Sequence, residues 1–383
     1  MRIVQANAVF DPAVRTPAAL LDLYRTLTEW SAAVAQAGAT VSVVQRFSTA
    51  STLERDGISY QFTTDSRPPW LSTKDAPQPF IDAIASQQPD VVHINGLIFP
   101  QLVAGIRNAV GRRTAIVVQH HGGEFPIRGS GLVGMWRRRR WLGGLQAADA
   151  ISFTAREQAE PWQAAGVLGD RTIIEIIEAS TTLRTISRER ARTALGVTGN
   201  PLILWVGRLT TNKDPLSVLD GLEIALPKLP EARVVMVFGE ETLFEDVDAR
   251  VRRSQVLAER VTLAGRVAHD EMPNYYGAAD VFVSGSHAEG SGYALIEALS
   301  AGLVPVVTDI PPFQRIAGPC GRRWQPGDGA AMARALMEVA GAGLESQRAA
   351  SIAQFEHALS WPALAGQTVR EYGALLESRR SAG

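Results

Sequence analysis

The chain has 383 residues, 46% of them hydrophobic and 20% charged, with a formal net charge of −1. That length exceeds one ordinary domain and suits two α/β domains, and the charge balance gives no footing for nucleic acid. The single cysteine, Cys320, excludes an intrachain disulfide and a cysteine-based zinc site. No apolar run approaches the ~20 residues that span a bilayer. Met1-Arg2-Ile3-Val4-Gln5 reads as a first strand without a secretory apolar region, so a cytoplasmic protein is expected.

Strands are predicted over 3–7, 40–45, 90–95, 114–120, 150–154 and 172–177 in the first half. Leu20, Leu23, Tyr24, Leu27 and Trp30 predict one amphipathic helix between the first two. The loop after the first strand, Asn7-Ala8-Val9-Phe10-Asp11-Pro12, carries no glycine. His120-His121-Gly122-Gly123-Glu124 follows the fourth strand, and a polar residue at the C-terminal end of a parallel strand faces the ligand side. The two histidines are sequence neighbours, which turns their rings apart and argues against a metal pair. Trp136-Arg137-Arg138-Arg139-Arg140-Trp141 is the strongest charge run. A solvated basic helix face is the expected reading, and a peripheral membrane contact or a lipid-phosphate acceptor is the alternative.

A domain break is placed near 178–187. Strands then follow over 202–206, 233–238, 261–264, 281–284 and 305–308. Repeated β-then-α units predict parallel sheets covered on both faces. The expected fold is therefore α/β, two Rossmann-like domains facing across an interdomain cleft.

After the strand 202–206 come Gly207-Arg208-Leu209, then Lys213, then Asp214-Pro215 opening a helix. Two cations at a strand end beside a helix start suit a diphosphate, the guanidinium as a planar fork and the ammonium as a point charge. Residues 280–308 read DVFVSGSHAEGSGYALIEALSAGLVPVVT. This is strand, Gly-rich turn, helix, strand. The turn carries Glu289, Gly290, Ser291 and Gly292, and the apolar-periodic helix that follows carries Glu297. Such a turn offers backbone N–H groups to an anion or a polyhydroxyl ligand, and two carboxylates can address two parts of it. Asp280, before the strand, reads as structural.

The segment resembles the signature of family-four retaining glycosyltransferases: Glu-Gly-aromatic-Gly, four residues, Glu-Ala, then Gly-x-Pro-Val-Val. The matching residues are Glu289, Gly290, Gly292, Glu297, Ala298, Pro305, Val306 and Val307. Ser291 stands where the family often has Phe, and Gly302-Leu303-Val304-Pro305 has one extra residue. Gly207, Arg208, Leu209 and Lys213 match the family's Gly-Arg-Leu and Lys motif. Phe355, Leu359, Trp361 and Tyr372 resemble its closing segment.

The resemblance implies the GT-B architecture and a metal-independent, retaining transfer from a nucleotide-diphosphate sugar, with no cofactor. Domains are expected at 1–179 for the acceptor, 180–360 for the donor, and 361–383 as a helix crossing back to the first domain. Arg208 and Lys213 would bind the diphosphate, beside Gly207. Glu289 and the backbone of Gly290, Ser291, Gly292 and Tyr293 would hold the sugar, and Glu297 the ribose. Arg266 and Val267 would lie near the nucleobase, and His121 near the reacting sugar. Pro311-Pro312 and Arg315 replace residues the family often uses, so no contact is carried over there. The acceptor is a small molecule, a glycan or a lipid-linked molecule, shaped in part by the loop after the first strand. The alternatives are a sugar-nucleotide epimerase or phosphorylase of the same architecture, and a catalytically silent sugar-nucleotide-binding protein.

Overall fold

A computed structural model describes residues 1–121, 131–184 and 186–381. The chain divides into two compact units, one of Met1–Glu178 with Trp361–Gly383 and one of Ala179–Ser360.

The first unit holds strands β1 (Arg2–Asn7), β2 (Thr40–Arg46), β3 (Ser51–Arg55), β4 (Ile58–Thr63), β5 (Val91–Asn95), β6 (Ala115–Gln119), β7 (Ala150–Phe153) and β8 (Thr172–Glu175). Their order in the sheet is β3-β4-β2-β1-β5-β6-β7-β8, and every pair is parallel except β3 with β4. Successive residues of a strand point to opposite faces. Val4, Val92, Ile116 and Val118 therefore pack with Phe80, Leu102 and Ile106 on one side. Ile3, Val91 and Val117 pack with Trp30, Val34 and Tyr372 on the other. Burial on both faces explains why these strands read as continuous apolar runs.

The second unit holds β9 (Leu202–Gly207), β10 (Arg233–Phe238), β11 (Val261–Gly265), β12 (Val281–Ser284), β13 (Val304–Thr308) and β14 (Arg322–Trp324). Their order is β11-β10-β9-β12-β13-β14, all parallel. The chain runs outward from β9 to one edge, then returns to β12 and runs to the other. The order reverses between β9 and β12, the position where open α/β sheets bind ligands beyond their strand ends.

Two expectations need correction. The single helix around Leu20 to Trp30 is two helices, Pro17–Leu23 and Arg25–Gln36. Tyr24 between them has φ −94° and ψ 58°, outside the helical region, and its hydroxyl accepts from the Asp11 N–H at 3.0 Å. The hairpin β3–β4 and the short strand β14 were not anticipated. Asp56 and Gly57 turn the hairpin with φ of 53° and 75°, the left-handed pair that a tight two-residue turn requires.

The C-terminal helix Trp361–Ser381 packs on Arg25–Gln36 within the first unit. Trp361 Nε1 donates to Glu29 at 2.8 Å, and Gln367 Nε2 to the Glu175 carbonyl at 2.9 Å. Arg379 pairs with Asp149.

Candidate active site

The loops leaving β9 and β12 meet. Asp214 caps the helix Pro215–Ala225 by accepting from the Ser217 N–H at 3.2 Å, with its own backbone left-handed at φ 40°. Asn212 brackets Ala288: its Nδ2 donates to the Ala288 carbonyl at 3.0 Å, and its Oδ1 accepts from the Ala288 N–H at 3.1 Å. The His287 N–H donates to the Asn212 carbonyl at 2.8 Å, and His287 Nε2 lies 2.9 Å from Asp214 Oδ2. A Cβ on Gly285 would come within 2.7 Å of the Asp214 carbonyl oxygen, so the loops approach as closely as backbone allows. Asn212, Ser286 and His287 form this frame, and sequence reading did not single them out. Their one signal was polar character on loops that end adjacent strands.

The frame places Lys213 against Glu289. The two form an ion pair, and the Ser286 hydroxyl donates to Glu289 Oε1 at 2.6 Å. The side chains are 19% and 12% exposed, so each charge works in partly desolvated surroundings and counts for more than on an open surface. Arg208 is different. It is 63% exposed and lies 3.5 Å from Glu240. Sequence reading grouped the two cations as one clamp; the structure gives them unequal settings.

Gly292 turns the chain into the helix Tyr293–Ser300 with φ 62°. Gly290 and Ser291 are half-buried before it, and Tyr293 is exposed. Glu297, half-buried inside that helix, lies beside the fully buried Tyr276. Burial first, then the nearby Glu297 charge, drive the Tyr276 hydroxyl well above the usual phenol range. Arg266 follows β11, exposed, and donates to the Gly239 carbonyl at 2.6 Å; Val267 beside it is half-buried. Gly207 ends β9 against Trp205, whose ring would be 2.9 Å from an added Cβ. Asp280 is buried under Arg192 at 2.7 Å and the Leu202 N–H at 2.8 Å, a structural position.

In the first unit, His121 follows β6 and its Nδ1 bonds to Glu178, whose carboxylate is buried; Gln119 Nε2 donates to the same oxygen at 3.3 Å. Burial works against charge on His121, but the attraction and hydrogen bond of Glu178 outweigh it and raise its pKa above 6.5. His120 turns the other way, buried against Phe153 and Trp162 at 5.0 and 5.8 Å between ring centroids, and burial pushes its pKa down to about 4. His93 on β5 is buried too, between the Tyr372 hydroxyl at 2.5 Å and Asn95 Oδ1 at 3.1 Å, and is likewise pushed down to about 4. Gly122, Gly123 and Glu124 lie outside the described residues, as do the side chains of Arg137, Arg138 and Arg140. Within the helix Gly131–Leu145, Trp136 is exposed, while Trp141 is buried 5.3 Å from Trp162.

The glycine-free loop after β1 is held by Arg46, which sequence reading passed over. Its fully buried guanidinium pairs with Asp65 at 2.7 Å and donates to the carbonyls of Ala8, Arg67, Pro68 and Pro69. Among the described residues, no three His, Cys, Asp or Glu side chains gather as a metal-binding group, and no helix is long and apolar enough to cross a membrane.

Two Rossmann-like units give the GT-B architecture, and with the matches that follow they make the chain a glycosyltransferase that uses a nucleotide-sugar donor. Residues 200–341 match the family described as "Glycosyl transferases group 1". The GDP-mannose:cellobiosyl-diphosphopolyprenol alpha-mannosyltransferase of Xanthomonas campestris is 28% identical over 308 residues, 78% of this chain and 77% of that protein. Mannosylfructose-phosphate synthase of Agrobacterium fabrum is 35% identical over 129 residues, 32% of this chain and 28% of its own. Among solved structures, sucrose-phosphate synthase from Thermosynechococcus elongatus superposes with a TM-score of 0.71 at 19% identity, covering 98% of this chain and 99% of that one. Anabaena Alr3699/HepE in complex with UDP and glucose gives 0.65 at 14%, covering 98% and 99%.

Proposed function

We propose that this chain moves a sugar from a nucleoside-diphosphate sugar to a hydroxyl acceptor, with retention of anomeric configuration and without a metal ion. The observation that carries this reading is the Lys213–Glu289 pair at the reversal between β9 and β12. A cation and a carboxylate side by side match a donor whose diphosphate carries negative charge and whose sugar carries hydroxyls. As the bond from the anomeric carbon to the phosphate oxygen breaks, negative charge grows on the leaving diphosphate. Lys213 and Arg208 would stabilise it there, supplying the charge that a divalent ion supplies elsewhere.

Glu289 would hold sugar hydroxyls with the backbone of Gly290 to Tyr293, and Glu297 the ribose. The acceptor oxygen bonds to the anomeric carbon on the face the phosphate leaves, and the acceptor proton passes to the departing diphosphate. His121 would stand near the reacting sugar, and Arg266 and Val267 near the base. A cytoplasmic site of action fits a soluble nucleotide-sugar supply.

The Xanthomonas relative is named for GDP-mannose and a cellobiosyl-diphosphopolyprenol, so these two head the donor and acceptor panels. Calorimetry over UDP, GDP, ADP and TDP first selects the base. Anomeric proton signals of the product, followed by NMR with and without EDTA, then test the chemistry. Retention, with turnover unaffected by EDTA, is the expected result. Inversion, or activity lost to EDTA and restored by a divalent ion, overturns this reading.

A further inference from the structure

We propose that Glu178 is a positioning residue for His121, a dyad in which the buried carboxylate accepts a hydrogen bond from Nδ1–H and fixes the ring so that Nε2 is the nitrogen offered to bound ligand. The proposal rests on the reading that places His121 beside the reacting sugar. Its geometry is independent of that reading.

The Glu178 side chain is 3% exposed and that of His121 is 47% exposed, so the pair runs from the interior to the surface. Glu178 stands three residues beyond β8 and His121 two beyond β6, on the ligand-binding edge of the same sheet. β7 lies between those strands, so the carboxylate reaches across its end. Gln119, the last residue of β6, donates to the oxygen that also bonds His121. That second donor limits carboxylate rotation. An imidazole bonded through Nδ1 to a carboxylate has its tautomer set, with Nδ1 protonated, and its basicity raised.

Among the described residues, the titratable groups close enough to this pair to feel its charge are His120, just beyond β6, and His93 on β5. Burial holds both neutral at ordinary pH. They contribute no competing charge there, which leaves Glu178 to govern His121, in line with the raised His121 pKa. Nε2 is then a hydrogen-bond donor while the ring is charged, and an acceptor above its pKa.

The test uses the full chain and the C2–H NMR signals of its six histidines, with the His121 signal assigned by its loss in His121→Ala. In wild type, His121 is expected to titrate above 6.5. A midpoint at or below that value overturns the proposal without any variant at position 178. In Glu178→Gln the midpoint is expected to fall by about one to three units, the usual effect of losing an adjacent opposite charge; an unchanged midpoint overturns it.

Activity supplies the second arm. Glu178→Gln is expected to lower kcat/KM by about tenfold or more at a pH above both midpoints, where a unit of pKa is a tenfold change in the charged fraction. Glu178→Gln/His121→Ala should be no worse than His121→Ala alone. Equal losses from Glu178→Gln with and without His121 contradict action through the imidazole. If His121→Ala keeps activity within threefold while the titrations behave as expected, the dyad stands and its place beside the sugar does not.

Discussion

The Lys213 ammonium and the Glu289 carboxylate are ion-paired across two loops that leave adjacent, hydrogen-bonded strands. On the proposed roles, a diphosphate that engages Lys213 would loosen its hold on Glu289, while the Ser286 hydroxyl would continue to orient that carboxylate. Binding of the leaving group and positioning of the sugar ligand would thereby be coupled.

That coupling is measurable. Arg208→Ala and Lys213→Ala should each lower kcat/KM by ~1.5–3 kcal/mol, the worth of a charged hydrogen bond, or about one to two decades. Lys213→Ala also removes the cation from Glu289. The double variant Lys213→Ala/Glu289→Ala should therefore miss the sum of its single effects by ~0.5–3 kcal/mol. Arg208, exposed and 3.5 Å from Glu240, should combine with Glu289→Ala additively. Steady-state kinetics over both cycles checks this; additivity of the Lys213 cycle within ~0.5 kcal/mol removes the coupling.

The two glutamates should separate by role. Glu297 sits inside the helix, half-buried beside Tyr276, and as a ribose ligand it acts on nucleotide binding. Glu297→Ala should weaken the free nucleoside diphosphate as well as the donor. Glu289→Ala should not weaken nucleoside diphosphate binding, and should tighten it to the extent that Lys213 is freed, while kcat falls. Calorimetry with the diphosphate alone discriminates, and equal losses in both variants contradict the assignment.

Sequence legibility followed strand burial. Most strands of the two sheets were visible because burial on two faces writes unbroken apolar runs such as residues 115–118. β3 and β4 were passed over because Ser51–Arg55 is mostly exposed and polar, although Asp56-Gly57 was the turn signal that could have found them. β14 has three residues, two of them arginine, too few for a pattern. The positions of Lys213 and Glu289 were legible from their motifs, but their pairing was not, since it depends on β9 and β12 being neighbours. Arg46 was illegible for the same reason. Its partners at Ala8, Asp65 and Arg67 to Pro69 come together only in the folded sheet.

Arg46 yields a stability prediction. Its guanidinium and the Asp65 carboxylate are both buried, and Arg46→Met leaves that carboxylate and several carbonyls without their donor. Breaking such a buried pair from one side costs ~3–5 kcal/mol. For Asp65, burial opposes the charge, but hydrogen bonds from Arg46 and the Arg67 N–H hold the pKa below the usual carboxylate value. A depressed folded-state pKa adds stability above the unfolded value, near ~3.9, and that stability is lost as pH falls through the folded value. Urea unfolding at pH 7 and at falling acid pH should show Arg46→Met losing the Asp65 part of its deficit as the carboxyl protonates, while the part from the undonated carbonyls stays. Equal stability of wild type and Arg46→Met at pH 7 would contradict the clamp.

Gly292 is the last test, because it separates backbone from side-chain demands at the turn between Glu289 and Glu297. Its φ of 62° is left-handed, which costs a residue with a Cβ ~1–2 kcal/mol. An added Cβ would also lie 2.6 Å from Ile316 Cδ1 and 3.6 Å from Phe313 Cε1. The first contact is the end of a flexible side chain and can yield. Gly292→Ala should therefore destabilise the chain by ~1–3 kcal/mol, the backbone term plus a smaller packing term. Ile316→Val in the same chain removes the methyl that clashes but leaves the backbone term, so it should recover only part of the loss. Activity should fall further than stability accounts for, since the turn sets the offset between the two carboxylates. Urea denaturation and kcat/KM on Gly292→Ala and Gly292→Ala/Ile316→Val provide the comparison. Full recovery in the double variant means the cost is steric alone, and the left-handed turn is then not what fixes Glu289 against Glu297.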